Sequence, residues 1–143
     1  MIRRSNPSLE NYVPAEMISD TLGFHQVVSY NGLLFLGGIA PVSGAALEIV
    51  TPGDLKGQCA FVLDILGKSL AAGGSSAEQL LDWTVYLKDV DGAGAIGAQY
   101  LEIVPQLKAF VGANGPSATA VGVHGLFVPE QLIEIQAIAA TSK

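Results

Sequence analysis

The segment TPGDLKGQCAFVLDILGKSLAAGG, residues 51–74, decides the fold class. Its apolar residues recur at steps of three and four, which places them on one face of a helix. This face consists of Leu55, Cys59, Val62, Leu63, Leu66 and Leu70. At the start, Thr51 is the predicted N-cap, Pro52 the first helical residue and Asp54 an acid in the first turn. Gly73-Gly74 ends the helix.

A β-hairpin precedes this helix. In VVSYNGLLFL, residues 27–36, the pair Asn31-Gly32 separates two apolar runs. Both positions tolerate the positive φ of a type I′ turn, so 27–30 and 33–36 are predicted to pair as antiparallel strands.

Four further elements are predicted after the helix. Apolar and polar residues alternate over 81–88, which indicates a strand. A second helix is predicted over 95–111, where Pro105 should kink or break it because the proline ring clashes with the preceding turn. Residues 116–123 and 131–139 are predicted as two closing strands.

The order of elements predicts an α/β (α+β) fold with one mixed sheet. Helices between strands imply crossover connections and some parallel pairing, with both helices on one sheet face. No segment remains to cover the other face, so a neighbouring subunit is the expected cover. No linker or repeat divides the chain, which predicts a single domain over 1–143. Residues 1–20 are polar and contain two prolines, and we expect them to wrap loosely over the surface.

Composition excludes several classes of function. The chain is 50% hydrophobic and only 14% charged, which favours an oligomer that hides apolar surface. The formal net charge is -6 and the seven basic residues are scattered, so nucleic acid is not an expected partner. Residues 109–129 carry no Lys, Arg, Asp or Glu, but their glycines, prolines and β-type alternation indicate a buried strand rather than a membrane span. The single cysteine and the absence of a signal-peptide pattern predict a cytoplasmic protein.

No cofactor or metal site is predicted. His25 and His124 are the only histidines, and neither has a cysteine or carboxylate at a ligand spacing. The informative carboxylate is Glu134, which alternation places on a strand face with Leu132, Gln136 and Ile138. It is either on a partly solvated face of an edge strand or an acid or base in a cleft.

Motifs along most of the chain resemble the RidA/YjgF family, also labelled L-PSP endoribonuclease. They are Gly38-Ile39-Ala40-Pro41, Gln58, Thr84-Val85-Tyr86-Leu87-Lys88-Asp89, Tyr100, Pro116-Ser117-Ala118-Thr119-Ala120-Val121 and Ile133-Glu134-Ile135. The resemblance implies a fold like trimeric chorismate mutase, in which three sheets form a central barrel, the helices lie outside and ligand clefts lie between subunits. It also implies hydrolysis of imine or enamine metabolites such as 2-aminoacrylate, without a cofactor. In such enzymes an arginine holds the substrate carboxylate, and the counterpart of Glu134 positions or activates water.

Several positions depart from that pattern. The resemblance places ligand contacts at Phe24, Gly37, Gly38, Ala118, Thr119 and Ala120. Ala118 stands where the family has its arginine, Phe24 stands for a tyrosine, Gly37 for a serine and Ala120 for a frequent cysteine. Two hypotheses follow. The chain is a deaminase or related hydrolase for a substrate other than 2-aminoacrylate, or it is a non-enzymatic protein that binds a small metabolite. Endoribonuclease activity is disfavoured because the chain is acidic.

Overall fold

The computed structural model describes residues 1–141. Its strands are β1 (Arg3–Ser5), β2 (Val27–Tyr30), β3 (Leu33–Ile39), β4 (Val42–Ser43), β5 (Glu48–Ile49), β6 (Leu80–Lys88), β7 (Ser117–Val123) and β8 (Ile133–Ala140). Its α-helices are α1 (Ala15–Asp20), α2 (Leu55–Ala72) and α3 (Gly97–Val111), and a short 3-10 helix covers Ala77–Gln79.

Six strands form one mixed sheet in the order β1-β2-β3-β8-β6-β7. β6 and β7 run parallel, and the other neighbours in this sheet run antiparallel. A crossover through α3 joins the parallel pair, as such a connection requires. The predicted mixed sheet with some parallel pairing is therefore confirmed, and the last strand in sequence, β8, lies in the middle of the sheet.

Helices α2 and α3 pack against one face of this sheet. Alternate residues of the central strands are buried there, including Leu36, Val85 and Ile135. From α2, the apolar residues predicted from periodicity are buried against them. From α3, Phe110 stacks on Trp83 of β6 with ring centroids 6.2 Å apart. The core therefore lies between the sheet and the two helices.

The hairpin and the end of α2 are confirmed, but the start of α2 differs from the prediction. Asn31 and Gly32 have φ of 50° and 78°, as the turn requires. Asp54, not Thr51, is the N-cap: its side chain accepts a hydrogen bond from the Gly57 backbone N–H at 3.0 Å. Thr51 has a φ of 39°, which is incompatible with the N-cap position of a helix that continues through Pro52.

Pro105 does not break α3, which runs unbroken through it. Ile103, Leu107 and Val111 are buried on one side of this helix, whereas Pro105 is exposed on the other. Burial of the apolar face stabilises the helix, and solvent can hydrate the carbonyl that the proline ring leaves without a partner.

The N-terminal segment is more tightly packed than the sequence indicates. β1 pairs with β2, and Tyr12, Val13 and Ile18 are buried in the core. The expectation that residues 1–20 wrap loosely is therefore wrong for their second half. Their apolar side chains are too few to show periodicity, but they cover one end of the sheet.

The sheet face opposite the two helices is open over its central part. Phe35, Thr84, Tyr86 and Gln136 lie on it and are exposed or half-buried. Phe35, a large apolar side chain, is 41% exposed. This is the face that the sequence leaves without a cover.

Candidate functional site

A cavity of about 290 Å³ lies at the end of the open sheet face, under the N-terminal segment. Its apolar lining consists of Val13, Ile18, Leu22, Ala40, Val42 and Leu47. Tyr12, Phe24 and Phe127 add aromatic rings, and Gly38 and Glu134 complete the lining. Phe127 is 62% exposed and Phe24 is 40% exposed, so these two rings lie at the mouth. A mostly apolar cavity with few polar groups is typical of small-molecule sites.

Glu134 belongs to the central strand β8, between β3 and β6. The edge-strand interpretation of this residue is therefore wrong, because the edges of the sheet are β1 and β7. Glu134 lies beside Tyr86 of β6, and its side chain is half-buried. A carboxylate at the centre of a sheet loses hydration and needs hydrogen-bond donors in return.

Gln131 supplies such a donor. Its side-chain Nε2 donates to Glu134 Oε1 at 3.1 Å and to the Ile133 carbonyl at 3.0 Å. Its Oε1 accepts from the Val128 backbone N–H at 3.3 Å, and the side chain is fully buried. Gln131 therefore fixes one oxygen of the carboxylate. The family motifs do not include it, and its only sequence signal is a glutamine directly before the apolar run of β8.

Gln58 anchors the loop that carries Gln131. From α2, its Nε2 donates to the Glu130 carbonyl at 3.1 Å, and its Oε1 accepts from the Leu132 backbone N–H at 2.8 Å. This side chain is fully buried. One of the residues that carry the family resemblance thus acts on Glu134 through the loop, and not on the cavity directly.

Gly38 leaves the space that the Glu134 carboxylate occupies. β3 pairs with β8 through Leu36 and Ala137 and then through Ile39 and Ile135, so β3 has one extra residue at a bulge. A Cβ added at Gly38 would overlap Glu134 Oε2 and lie 3.0 Å from its Cδ. Glycine is required here for close approach of the carboxylate, not for a positive φ.

Tyr12 brings a hydroxyl into the same cavity. Burial raises the pKa of this phenol well above its usual value, and the charge of Glu134 raises the pKa further, while a hydrogen bond with the Ala40 backbone opposes the shift. The phenol therefore stays protonated at neutral pH, and it can form hydrogen bonds but cannot act as a base. Sequence analysis missed Tyr12, because no pattern within residues 1–20 connects it to Glu134.

The structure separates the other predicted site residues into two groups. Phe24, Gly38 and Glu134 line the cavity, and Gly37 lies behind the Phe24 ring, where an added Cβ would be 3.3 Å from Phe24 Cε2. Residues 118–120 are exposed on the edge strand β7 and do not line it.

The register shows how far this second group lies from Glu134. Ala118 pairs with Trp83, three residues from the position on β6 that pairs with Glu134. Three residues along a strand and two strand spacings amount to roughly 14 Å. Ala118 therefore cannot contact a ligand in the cavity of its own chain.

Other site chemistries are not found in the described part of the chain. Over residues 1–141, no group of three or more His, Cys, Asp or Glu side chains is placed to hold a metal ion. Within the same range, no helix is long and apolar enough to cross a membrane.

Comparisons with known proteins agree on one family. The model of the family described as Endoribonuclease L-PSP matches residues 16–141. RutC family protein PH0854 of Pyrococcus horikoshii is 34% identical over 116 residues, which cover 81% of this chain and 85% of that protein. The chain also resembles the crystal structure of NMB1025, a YjgF family member from Neisseria meningitidis, with a TM-score of 0.73, 26% identity and coverage of 100% and 97%.

A further solved structure shows a relative with a ligand. E. coli TdcF with bound serine matches with a TM-score of 0.67 and 27% identity, over 83% of this chain and 88% of that one. Together with the mixed sheet and its two helices, these similarities give the chain the chorismate-mutase-like fold that the resemblance implies. The family model covers well over half of the chain, and the chain therefore belongs to the RidA/YjgF family, whose model is described as Endoribonuclease L-PSP.

Proposed function

We propose that this protein hydrolyses an imine or enamine metabolite in the cavity that contains Glu134, and that its substrate lacks the carboxylate of 2-aminoacrylate. The observation that carries the proposal is the geometry of Glu134. Gln131 holds one carboxylate oxygen, while the other lies against Gly38 in the lining of an apolar cavity.

The proposed reaction adds water to the C=N bond. Glu134 takes a proton from the water as the water oxygen forms a bond to the imine carbon. The C=N π electrons move to the nitrogen, and Glu134 passes the proton to that nitrogen. The resulting carbinolamine collapses when its C–N bond breaks, which releases ammonia or an amine and leaves a ketone or aldehyde. Tyr12 forms a hydrogen bond to the substrate or to the carbinolamine as a neutral phenol. No redox cofactor enters this balance.

A substrate carboxylate would meet no lysine or arginine in the part of the cavity lining that residues 1–141 provide. The family arginine position is Ala118, and residues 109–129 contain no lysine or arginine. A guanidinium grips a carboxylate through two charged hydrogen bonds, and a methyl group provides neither. This difference supports a substrate other than the 2-aminoacrylate type.

The quaternary structure that we propose is a homotrimer, with a cleft between subunits. The open sheet face with Phe35 and the exposed edge strand β7 support it, since both are surfaces that a second copy could cover. Light scattering should then give about three times the chain mass of 14.8 kDa. A monomer at micromolar concentration would refute the assembly.

A cytoplasmic location stays a prediction from the single cysteine.

The proposed activity is tested with imines generated in situ by amino-acid and amine oxidases. We expect the native protein to accelerate hydrolysis of imines without a carboxylate, and to act on 2-aminoacrylate at least about a hundredfold less well, because charged hydrogen bonds are each worth roughly 1.5–3 kcal/mol. Glu134→Gln preserves shape but removes the base, so it should abolish the activity. Equal activity in this variant would remove Glu134 from the mechanism. No acceleration of any imine hydrolysis by the native protein would favour the alternative, a protein that binds a small metabolite without catalysis.

A further inference from the structure

We propose that the ligand of the cavity is a small apolar cation, a protonated imine or amine, for which Glu134 is the counter-ion. This inference rests on the proposed site and adds the charge class of its ligand. The lining, from residues 1–141, contains one carboxylate, that of Glu134, and no lysine or arginine.

The cavity is negative because, within residues 1–141, no lysine or arginine forms an ion pair with Glu134. Its described partner is the neutral amide of Gln131, and the lining holds no cation to balance the carboxylate. The effect of Glu134 on the pKa of Tyr12 has the same sign, since its negative charge disfavours a phenolate there. An anionic ligand would meet the same repulsion, whereas a cation would supply the missing charge.

The aromatic rings favour the same charge. Tyr12, Phe24 and Phe127 all line the cavity, and the faces of such rings attract cations that have lost part of their hydration. The remaining lining is aliphatic and suits an apolar body attached to the cationic nitrogen. A volume of about 290 Å³ accommodates one ring with a short side chain.

Strand β7 of a second copy would bring no charge to the mouth. Its residues Ser117–Val123 are uncharged, and the whole segment 109–129 lacks lysine and arginine. An assembly in which β7 covers the mouth would therefore keep the charge preference of the single chain.

A protonated imine also fits the proposed chemistry. A cationic C=N carbon is more electrophilic than a neutral one. When water adds to it, the proton lost from the water passes to Glu134 and the C=N π electrons become the nitrogen lone pair, which leaves a neutral carbinolamine. The proton then returns from Glu134 to the nitrogen. The C–N bond breaks as the hydroxyl oxygen forms the carbonyl, and the hydroxyl proton passes by way of Glu134 to the departing nitrogen. The sum is iminium plus water giving carbonyl compound plus ammonium, or a protonated amine.

The test compares three stable probes of similar shape by calorimetry: benzylammonium, benzyl alcohol and benzoate. We expect benzylammonium to bind at least about tenfold more tightly than benzyl alcohol, because a charge-assisted hydrogen bond is roughly twice as strong as a neutral one. Benzoate should show no measurable binding. Glu134→Gln should reduce the affinity for benzylammonium to about that for the alcohol. Glu102→Gln, an exposed glutamate on α3, is the matched control for net charge and should change nothing.

Binding of benzoate or benzyl alcohol equal to that of benzylammonium would overturn the proposal. So would an unchanged preference in Glu134→Gln with native-like thermal unfolding, or failure of all three probes to bind. Tight benzylammonium binding without hydrolysis of any imine would instead refute the proposed catalysis and leave the ligand class standing. Preferred hydrolysis of carboxylate-bearing imines would refute the ligand class and leave the catalysis standing.

Discussion

Replacing Gly38 with alanine should displace the Glu134 carboxylate while the fold persists. The added Cβ would overlap Oε2 and lie 3.0 Å from Cδ. Non-bonded carbon atoms prefer about 3.5–4.0 Å, so the carboxylate must move by about 1 Å. The added Cβ would meet the end of a flexible side chain and not backbone, so we expect the carboxylate to move and β3 to keep its position.

That movement breaks the hydrogen bond from Gln131. The Nε2–Oε1 distance is already 3.1 Å, and a further ångström exceeds any hydrogen-bond length. Hydrogen bonds to charged groups contribute roughly 1.5–3 kcal/mol, but the displaced carboxylate can regain water in the cavity. We therefore expect the free energy of unfolding to fall by only about 1 kcal/mol. The effect on catalysis should be larger, about a hundredfold in kcat/KM, because a catalytic group misplaced by 1 Å loses its alignment.

The measurements are imine hydrolysis, benzylammonium affinity and urea unfolding, for Gly38→Ala and for Gly97→Ala as the control. A Cβ at Gly97, the first residue of α3, would meet nothing within 4 Å, so the control should keep native activity and affinity. Its stability should be unchanged or slightly higher, because alanine favours a helix more than glycine does. A double-mutant cycle isolates the cause. In a Glu134→Ala background, Gly38→Ala should have almost no further effect on stability. Native-like activity and affinity in Gly38→Ala, or an equal loss of stability in both backgrounds, would refute the reasoning.

Three further predictions follow from other parts of the molecule. Ala118→Arg should raise the rate of 2-aminoacrylate hydrolysis by about tenfold in an assembly, because a guanidinium can hold the substrate carboxylate. The new side chain lies roughly 14 Å from the Glu134 of its own chain and can only reach the cavity of a neighbour, so a gain in a dilute monomer would contradict this. Cys59 is buried, which raises its pKa to about 12, so it should resist alkylation at pH 8 until the chain unfolds. The contribution of its burial to stability is complete below 9.0, the pKa of the thiol in the unfolded chain, and is lost as the pH rises toward 12. With a net charge of -6, the protein should neither bind nor cut single-stranded RNA at physiological salt, and cleavage that co-purifies through several columns would overturn this.

Local patterns predicted the elements that are built from contacts close in sequence. Asn31-Gly32 required positive φ at two adjacent positions, so the hairpin could be read directly. The apolar face of α2 could be read from its periodicity, and both ends of this helix lie within four residues of the prediction. The N-cap was missed because Thr51 and Asp54 are both good caps, and the backbone conformation that decides between them, a φ of 39° at Thr51, is not visible in the sequence.

Contacts between distant segments could not be predicted in this way. The central position of β8 depends on its pairing with both β3 and β6, which lie far away in sequence. Alternation correctly identified the face that carries Glu134, but it could not show whether the strand lies at an edge. Tyr12 lies near Glu134 because the segment between β1 and α1 covers one end of the sheet, and a short segment of this kind has no periodic signal.

Glu134 indicates a functional site even though the family arginine is absent. The family resemblance and the geometry of the site together explain this. Gln58, Gln131 and Gly38 all act on this carboxylate or on the loop beside it, and none of them needs a substrate carboxylate to be useful. Burying an amide and ordering it against a carboxylate costs free energy. A glutamate on a solvated surface is hydrated by water and would not need such a donor. The residues that hold Glu134 are thus in place, while the arginine that would hold a substrate carboxylate is replaced by Ala118. The described lining holds this carboxylate in position and contains no lysine or arginine to neutralise it, so the proposed ligand preference is set by charge and favours a cation.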